Sequence, residues 1–283
     1  MTRIRLVALT LLALLAFAAN SILCRLAFER TDIDAASFTA IRLAAGALML
    51  WLLVLRRPVA RVGGDWPSAV ALFAYAAAFS FAYVALETGV GALLLFGAVQ
   101  MTMLAAGLRT GERLDARQSV GLALALGGLA YLLWPGLAAP PLGSALLMLA
   151  AGFAWGVYSL RGRGSRDPLA ATAGNFLRAA PLGLGLALLA LPGLAPDPAG
   201  AGYAVLSGAL ASGAGYAVWY AALRGLAATH AATVQLSVPL IAAAGGIALL
   251  DEPLTWRFAF AAVAILGGIA LGMVRRRERS GAL

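Results

Sequence analysis

Apolar residues in this chain come in long blocks, and polar or charged residues gather in the gaps between them. Ten blocks can be marked, at 4–24, 36–55, 67–86, 89–108, 118–134, 141–160, 169–191, 202–222, 231–250 and 257–274. Most approach the roughly 20 residues that an α-helix needs to cross the hydrocarbon of a bilayer. The gaps include RRPVARVGGDWP, RTGERLDAR, WPGLAAPP, RGRGSRDP, LPGLAPDPAG and DEPLTW. Proline and glycine stop helices there, and charged side chains stay out of hydrocarbon. Alternating segments of about ten residues, which a transmembrane β-barrel requires, are absent. The pattern predicts an all-α membrane protein with ten transmembrane helices.

Composition agrees with this reading. The chain has 283 residues, of which 62% are hydrophobic and 12% charged; soluble domains carry about twice that charge. Mean hydropathy is +0.90. All 21 basic residues are arginine, and the net charge is +9. The arginines are spread over block ends rather than gathered in a patch, which fits membrane orientation and not nucleic-acid binding. The single Cys24 excludes an internal disulfide and a cysteine metal cluster. The opening MTRIRLVALTLLALLAFAAN has the make-up of a signal peptide, but the apolar run continues to Cys24, so the segment is expected to be retained.

Arginine counts give an orientation. With the N-terminus inside, the inner segments hold Arg3, Arg5, Arg56, Arg57, Arg61, Arg109, Arg113, Arg117, Arg161, Arg163, Arg166, Arg224, Arg275, Arg276, Arg277 and Arg279. The outer segments hold only Arg25, Arg30 and Arg257. Sixteen against three places both termini in the cytoplasm.

The chain also repeats itself. FAANSILCR (17–25) aligns with FAWGVYSLR (153–161) at an offset of 136, the same offset that separates Arg42 from Arg178. YVALE (83–87) aligns with YAALR (220–224), and GERLDARQSVGLALALGGLA (111–130) aligns with DEPLTWRFAFAAVAILGGIA (251–270). Each half, 1–135 and 136–283, then has five spans, and an odd number makes the second half enter the bilayer from the opposite side. Such inverted repeats occur in transporters whose site lies at the repeat interface near the midplane.

Two five-helix halves, each closing with GE or DE before a helix containing GG, resemble the EamA domains of the drug/metabolite transporter superfamily. Within it the chain resembles the YddG-type bacterial amino-acid exporters. The resemblance implies a multi-pass carrier of the bacterial inner membrane that exports amino acids or similar small metabolites. The alternative is export of another amphipathic metabolite or a cationic drug, with or without proton coupling. The expected partners are a small-molecule substrate and the lipid bilayer. The family's helix-breaking proline matches SVPL (237–240) in span nine, whereas span four has Val99 at that place in GAVQ (97–100).

Aromatic residues mark the candidate site. Tyr75, Phe79 and Tyr83 recur at i, i+4, i+8 in span three, and Tyr216, Trp219 and Tyr220 share a face in span eight. Trp155 and Tyr158 form an i, i+3 pair in span six. They can be ordinary helix packing or an interfacial belt, but tyrosine hydroxyls deep in hydrocarbon need partners. We therefore expect a large central cavity lined by these residues and by Gln100, the deepest amide and the leading substrate contact. Arg42 and Arg178, with Asn20 and Asn175, are vestibule or structural residues. The arginines either snorkel and cap carbonyls or attract a carboxylate. Arg42 lies roughly 9 Å and Arg178 roughly 13 Å inside their blocks, so depth favours function for Arg178.

Nothing points to an enzyme, a metal or a prosthetic cofactor. Catalysis would need paired acids, a histidine cluster or a nucleophile–base pair. The chain has one histidine, His230, one cysteine, and twelve acidic residues that all fall in loops or at span ends. Glu87 is the only carboxylate near the path, so facilitated diffusion is the expected mode. Gly127, Gly128, Gly267 and Gly268 occupy matched places in spans five and ten, where small residues allow a close helix crossing away from the pathway.

Overall fold

A computed structural model describes residues 2–57, 62–111, 114–136, 139–163, 165–190, 193–195, 197–226 and 228–273. Arg61, Glu112, Arg113, Arg275, Arg276, Arg277, Glu278 and Arg279 lie outside them. The described chain is helical, with no β-strand among the described residues. Its elements are α1 (Arg3–Arg30), α2 (Ala35–Leu55), α3 (Trp66–Tyr83), α4 (Thr88–Arg109), α5 (Ala116–Leu133), α6 (Leu142–Gly162) and α7 (Pro168–Leu189). Then come α8 (Pro198–Val205), a π-helical segment (Leu206–Ala214), α9 (Gly215–Leu223), α10 (Ala228–Gln235), α11 (Val238–Leu250) and α12 (Trp256–Met273). Among the described residues, eight segments are long and apolar enough to cross a membrane. Large apolar side chains such as Leu11, Leu15, Leu48, Leu124 and Val263 face outward in mid-helix. Such a surface suits lipid, not water.

Helix ends are set by aspartates and prolines. Asp34, Asp65, Asp115, Asp167 and Asp197 each accept a backbone N–H in the first turn of α2, α3, α5, α7 and α8. An N-cap oxygen satisfies a donor that the helix itself cannot reach. Proline follows in the first turn of α3, α7 and α8, where its missing N–H costs nothing. The three arginines of the sparse side cap the opposite ends. Arg25 donates to the Tyr83 and Val84 carbonyls, Arg30 to that of Leu249, and Arg257 to those of Leu132 and Trp134. Each binds the carbonyl end of a different helix, where the helix dipole favours a cation.

Two elements depart from straight α-helix. From Pro198 to Leu223 the backbone stays helical across both joints of the π segment. Block 231–250 is instead two helices, interrupted at Leu236–Ser237 just before Pro239. By contrast α4, which has Val99 and no proline, runs unbroken for 22 residues.

Packing joins the two ends of the sequence throughout. α2 lies on α7, α3 on α6 and α7, α4 on α6 and α11, and α5 on α12. α1 lies on α8, the π segment, α9 and α11, and α2 also lies on the π segment. The α5–α12 pair sits to one side of the others and crosses closely. A Cβ on Gly121 would stand 2.4 Å from the Gly268 carbonyl oxygen, and a Cβ on Gly268 would stand 2.4 Å from that of Gly121. Gly128 is also in this contact, whereas Gly127 and Gly267 face open space. The close crossing therefore uses two of the four glycines named from sequence, together with Gly121.

Gly121→Ala and Gly268→Ala should each destabilise the bundle by about 1–3 kcal/mol through forced separation of α5 and α12. Gly127→Ala should be neutral or stabilise by up to about 1 kcal/mol through helix propensity. Thermal unfolding in detergent measures both; equal effects at the three positions would contradict the crossing.

Candidate functional site

The centre of the bundle is organised around Arg42. The residue sits in the second turn of α2 and is 3% exposed. Its Nη2 donates to Asn20 Oδ1 on α1 at 3.2 Å, and Ser207 Oγ of the π segment donates to the same oxygen at 2.6 Å. Asn20 Nδ2 donates to the Tyr75 hydroxyl on α3 at 3.1 Å. The guanidinium lies over the Phe79 ring at 4.9 Å and the Tyr75 ring at 5.7 Å from the centroids, within cation–π range. Its Nη1 makes no hydrogen bond to any described residue. Close approach is needed on the backbone side: a Cβ on Gly208 would stand 2.0 Å from the Arg42 carbonyl oxygen.

From this cluster an aromatic column runs in both directions. Tyr83, Phe79, Tyr75, Trp155, Tyr216 and Tyr220 follow one another with ring centroids 4.7, 5.4, 4.8, 5.4 and 6.5 Å apart. Trp155 and Tyr216 are stacked at 18°. Tyr75, Phe79, Tyr83, Tyr216 and Tyr220 of the two stripes thus belong to one line, with α6 supplying the link, whereas Trp219 stands off it against Phe17. A cavity of about 40 Å³ lies beside its middle, lined by Phe17, Asn20, Ser21, Tyr75, Phe79, Leu95, Phe96, Trp155, Ala211, Ser212, Tyr216 and Gln235.

The two ends of the column differ. At the Tyr83 end, the tyrosine hydroxyl donates to the Thr88 carbonyl at 3.1 Å. Glu252, from the α11–α12 connection, accepts the Thr88 N–H at 2.8 Å and the Thr88 hydroxyl at 2.9 Å. It therefore caps α4 from across the bundle, where Glu87 makes no side-chain cap. Arg25 approaches Glu252 at 3.6 Å and pairs with Glu29 at 2.8 Å. These contacts latch α1, α3, α4 and the α11–α12 connection together. At the Tyr220 end the bundle opens instead, into a cavity of about 430 Å³ that includes Arg57, Arg166, Asp167, Tyr220 and Arg224 in its wall.

Several expectations need correcting. The central cavity is small, because the aromatic rings close onto one another. Gln100 does not line it: with Met101 and Met103 it faces a separate groove of about 190 Å³ between α4, α5 and α12. The glutamine at the central cavity is Gln235, brought there at the end of half-helix α10 beside Asn20 of α1. The proline break that follows was the signal for it, since discontinuous helices expose their ends to a transporter's site. The π segment went unread because LSGALASGA has no feature that distinguishes it from α-helix.

The two arginines reverse their expected order. Arg178 Nη1 donates to the Gly63 and Gly174 carbonyls, both at 2.9 Å, and so fastens the α2–α3 connection to α7. Asn175 does the same, accepting the Asp65 N–H at 2.9 Å. Arg42, nominally the shallower, is the one held in the core. Tyr158 packs behind Trp155 and meets Asn175 and Thr172 through its hydroxyl. Trp219 packs on Phe17, and Tyr220 bonds Thr172 at 2.8 Å. Phe153, which aligns with the cavity-lining Phe17 in sequence, is 60% exposed and points out of the bundle.

A helical membrane protein that keeps Tyr75, Tyr83, Tyr158 and Tyr216, an arginine and amides in the interior has the make-up of a solute transporter. Comparison with known proteins agrees. The profile of the EamA-like transporter family matches residues 142–274. A Pseudomonas aeruginosa protein, Uncharacterized protein PA1977, is 60% identical over 275 residues, covering 96% of each chain. A crystal structure of a protein 20% identical in sequence shares the fold, with a TM-score of 0.67 over 96% of this chain and 98% of its own. The chain belongs to the EamA-like transporter family, a family of membrane transporters and not of enzymes.

The end groups titrate differently. Burial pushes the Glu87 carboxyl above the ordinary carboxylate range, and the Glu252 charge adds to the rise against Arg25. At Asp65 the Ser68 N–H holds the carboxyl low despite some burial. At Asp167 burial works upward, but the Arg57 hydrogen bond and the cap outweigh it. The signs are therefore opposite. Asp65 and Asp167 contribute stability that is lost on acidification below the ordinary range. Glu87 favours the folded state when protonated, and that contribution is lost as pH rises through its raised pKa. Glu87→Gln should flatten the pH profile just above the ordinary carboxylate range and leave the protein at least as stable at neutral pH. Unfolding midpoints in detergent across pH test this; profiles that superimpose would exclude Glu87 as the titrating group.

Proposed function

We propose that the protein exports amino acids, with aromatic or other neutral apolar ones first, across the bacterial inner membrane by alternating access. The observation that carries this is the aromatic column, which runs inside the bundle from a latched end to an open vestibule and draws rings from both halves of the sequence. Residues 1–135 and 136–283 are read as two inverted five-helix repeats forming ten spans. Exchanging α1 with α6, α2 with α7, α3 with the α8–α9 rod, α4 with α10–α11 and α5 with α12 carries the most extensively packed pairs onto one another, while the lighter contacts of α4 with α12 and of α1 with α3 and α4 have no such counterpart. Both termini are then cytoplasmic, the Arg57 vestibule faces the cytoplasm, and the Glu252 latch closes the outer end. The arginine bias and the resemblance to YddG-type exporters support the same orientation and substrate class.

The mode is facilitative. Every described acidic residue lies at a helix end or in a connection, and none lines the central cavity. A proton-coupled exporter of another small amphipathic metabolite is the second reading, favoured by one observation: Glu87 is raised toward a useful range beside Glu252. Tyr75, Phe79, Trp155 and Tyr216 are the side chains assigned to the substrate, with Tyr83 and Tyr220 at the two closures.

Liposomes carrying the purified protein should exchange labelled phenylalanine or leucine in counterflow, with flux unchanged by an imposed pH gradient. Trp155→Ala should reduce the flux at least tenfold while leaving the fold intact by circular dichroism. Accumulation against the substrate's own gradient, driven by pH and abolished by Glu87→Gln, would replace the facilitative mode with proton coupling. Absence of flux for every amino acid would remove the substrate assignment.

A further inference from the structure

The charge on Arg42 is not balanced. No acidic side chain among the described residues forms a salt bridge with it; the four described ion pairs all lie at the ends of the bundle. Around it are one amide oxygen, shared with Ser207, the Tyr75 hydroxyl and two ring faces. A buried cation with so few partners is costly, and such residues inside a membrane protein normally pair with another charge or face a wet path. One guanidinium nitrogen is still unpartnered, although the side chain is almost wholly enclosed.

Position gives this imbalance a use. The residues that contact the guanidinium, Asn20, Tyr75 and Phe79, are themselves walls of the central cavity. The positive charge therefore lies one side chain behind the site. The cavity wall contains no aspartate or glutamate. An ammonium entering there would meet no countercharge and would be repelled by Arg42. An anion would be attracted at close range in a medium of low dielectric constant. At about 40 Å³ the cavity, in this closed arrangement, has room for a few waters or a carboxylate head. The vestibule adds a funnel of the same sign, because Arg166 and Arg224 in its wall are exposed.

We propose that Arg42 is the anion-recognising residue of the central site, and that the transported solute is selected by a carboxylate carried on a flat apolar group, with its amino group dispensable. The proposal rests on the transporter reading given above and narrows it. Deaminated acids become substrates as good as the corresponding amino acids, and amines of the same shape, cationic drugs included, are excluded.

Three probes with one ring separate the possibilities: 3-phenylpropionate, phenylalanine and phenethylamine. Each is titrated into the purified protein in detergent, with the unfolding midpoint as readout, and each competes in phenylalanine counterflow in liposomes. The two carboxylates should bind with affinities within tenfold of each other, and the amine at least tenfold more weakly. Asn20→Asp sets a carboxylate beside the guanidinium at nearly constant volume; it should weaken 3-phenylpropionate at least tenfold and relieve the exclusion of phenethylamine. Arg42→Lys keeps the charge and should keep the order of the three probes, which serves if Asn20→Asp does not fold. Phenethylamine binding as tightly as 3-phenylpropionate, a folded Asn20→Asp protein that binds 3-phenylpropionate unchanged, or binding of none of the three would overturn the proposal. Selective carboxylate binding without flux would support the role of Arg42 while removing the transporter reading. Flux of phenylalanine that phenethylamine inhibits equally would do the reverse.

Discussion

Placing a guanidinium in a low-dielectric core sets the terms for everything packed around it. The group must be surrounded by acceptors and ring faces, or it will draw water or unfold its surroundings. Here Asn20, Tyr75, Phe79 and Ser207 come from α1, α3 and the π segment to meet Arg42 on α2. The wide turns of the π segment bring Gly208 against the backbone of Arg42 itself, a fit that no larger residue allows. One charge thus fixes the mutual position of four elements drawn from both halves of the sequence. Tyr75, held by Asn20, in turn sets where the aromatic column begins to bend toward Trp155.

Much of the helical layout was legible because it depends on local chemistry. Blocks ended where aspartate, proline, glycine and arginine gathered, and the caps at Asp34, Asp65, Asp115, Asp167 and Asp197 lie at those places. The aromatic residues were legible as stripes because a tyrosine deep in an apolar block must find a partner. Other features depended on the way helices face one another. Depth along a helix ranked Gln100 above Gln235 and Arg178 above Arg42, but depth says nothing about azimuth. Gln100 turns toward α5 and α12, and Arg178 turns toward a connection that needed its carbonyls satisfied. The size of the cavity was beyond reach for a different reason: it belongs to one conformation, and a sequence encodes all of them.

Carboxylates show how the same residue type can be kept away from a path. Five aspartates cap helices within their own segments, and Glu252 caps α4 from a distant part of the chain. Their negative charge goes to satisfying backbone donors at the ends of the bundle. The interior is left with a single sign, and the Glu252 contact doubles as a tie between α4 and the α11–α12 connection. Breaking that tie would expose the Thr88 N–H and the Glu252 carboxylate together.

The interruption at Leu236–Ser237 has a consequence for the energy of the whole cycle. Two identical inverted halves would make the inward-open and outward-open shapes mirror exchanges of each other, and degenerate in free energy. On the proposed repeat reading, α4 is a stiff strut about 33 Å long, while its counterpart is two short rods joined at a break. Bending is cheap in one half and expensive in the other. On that reading the degeneracy is lifted, and the two shapes differ in free energy. The break before Pro239 is then one source of asymmetry in a chain latched at Glu252 and open at Arg57.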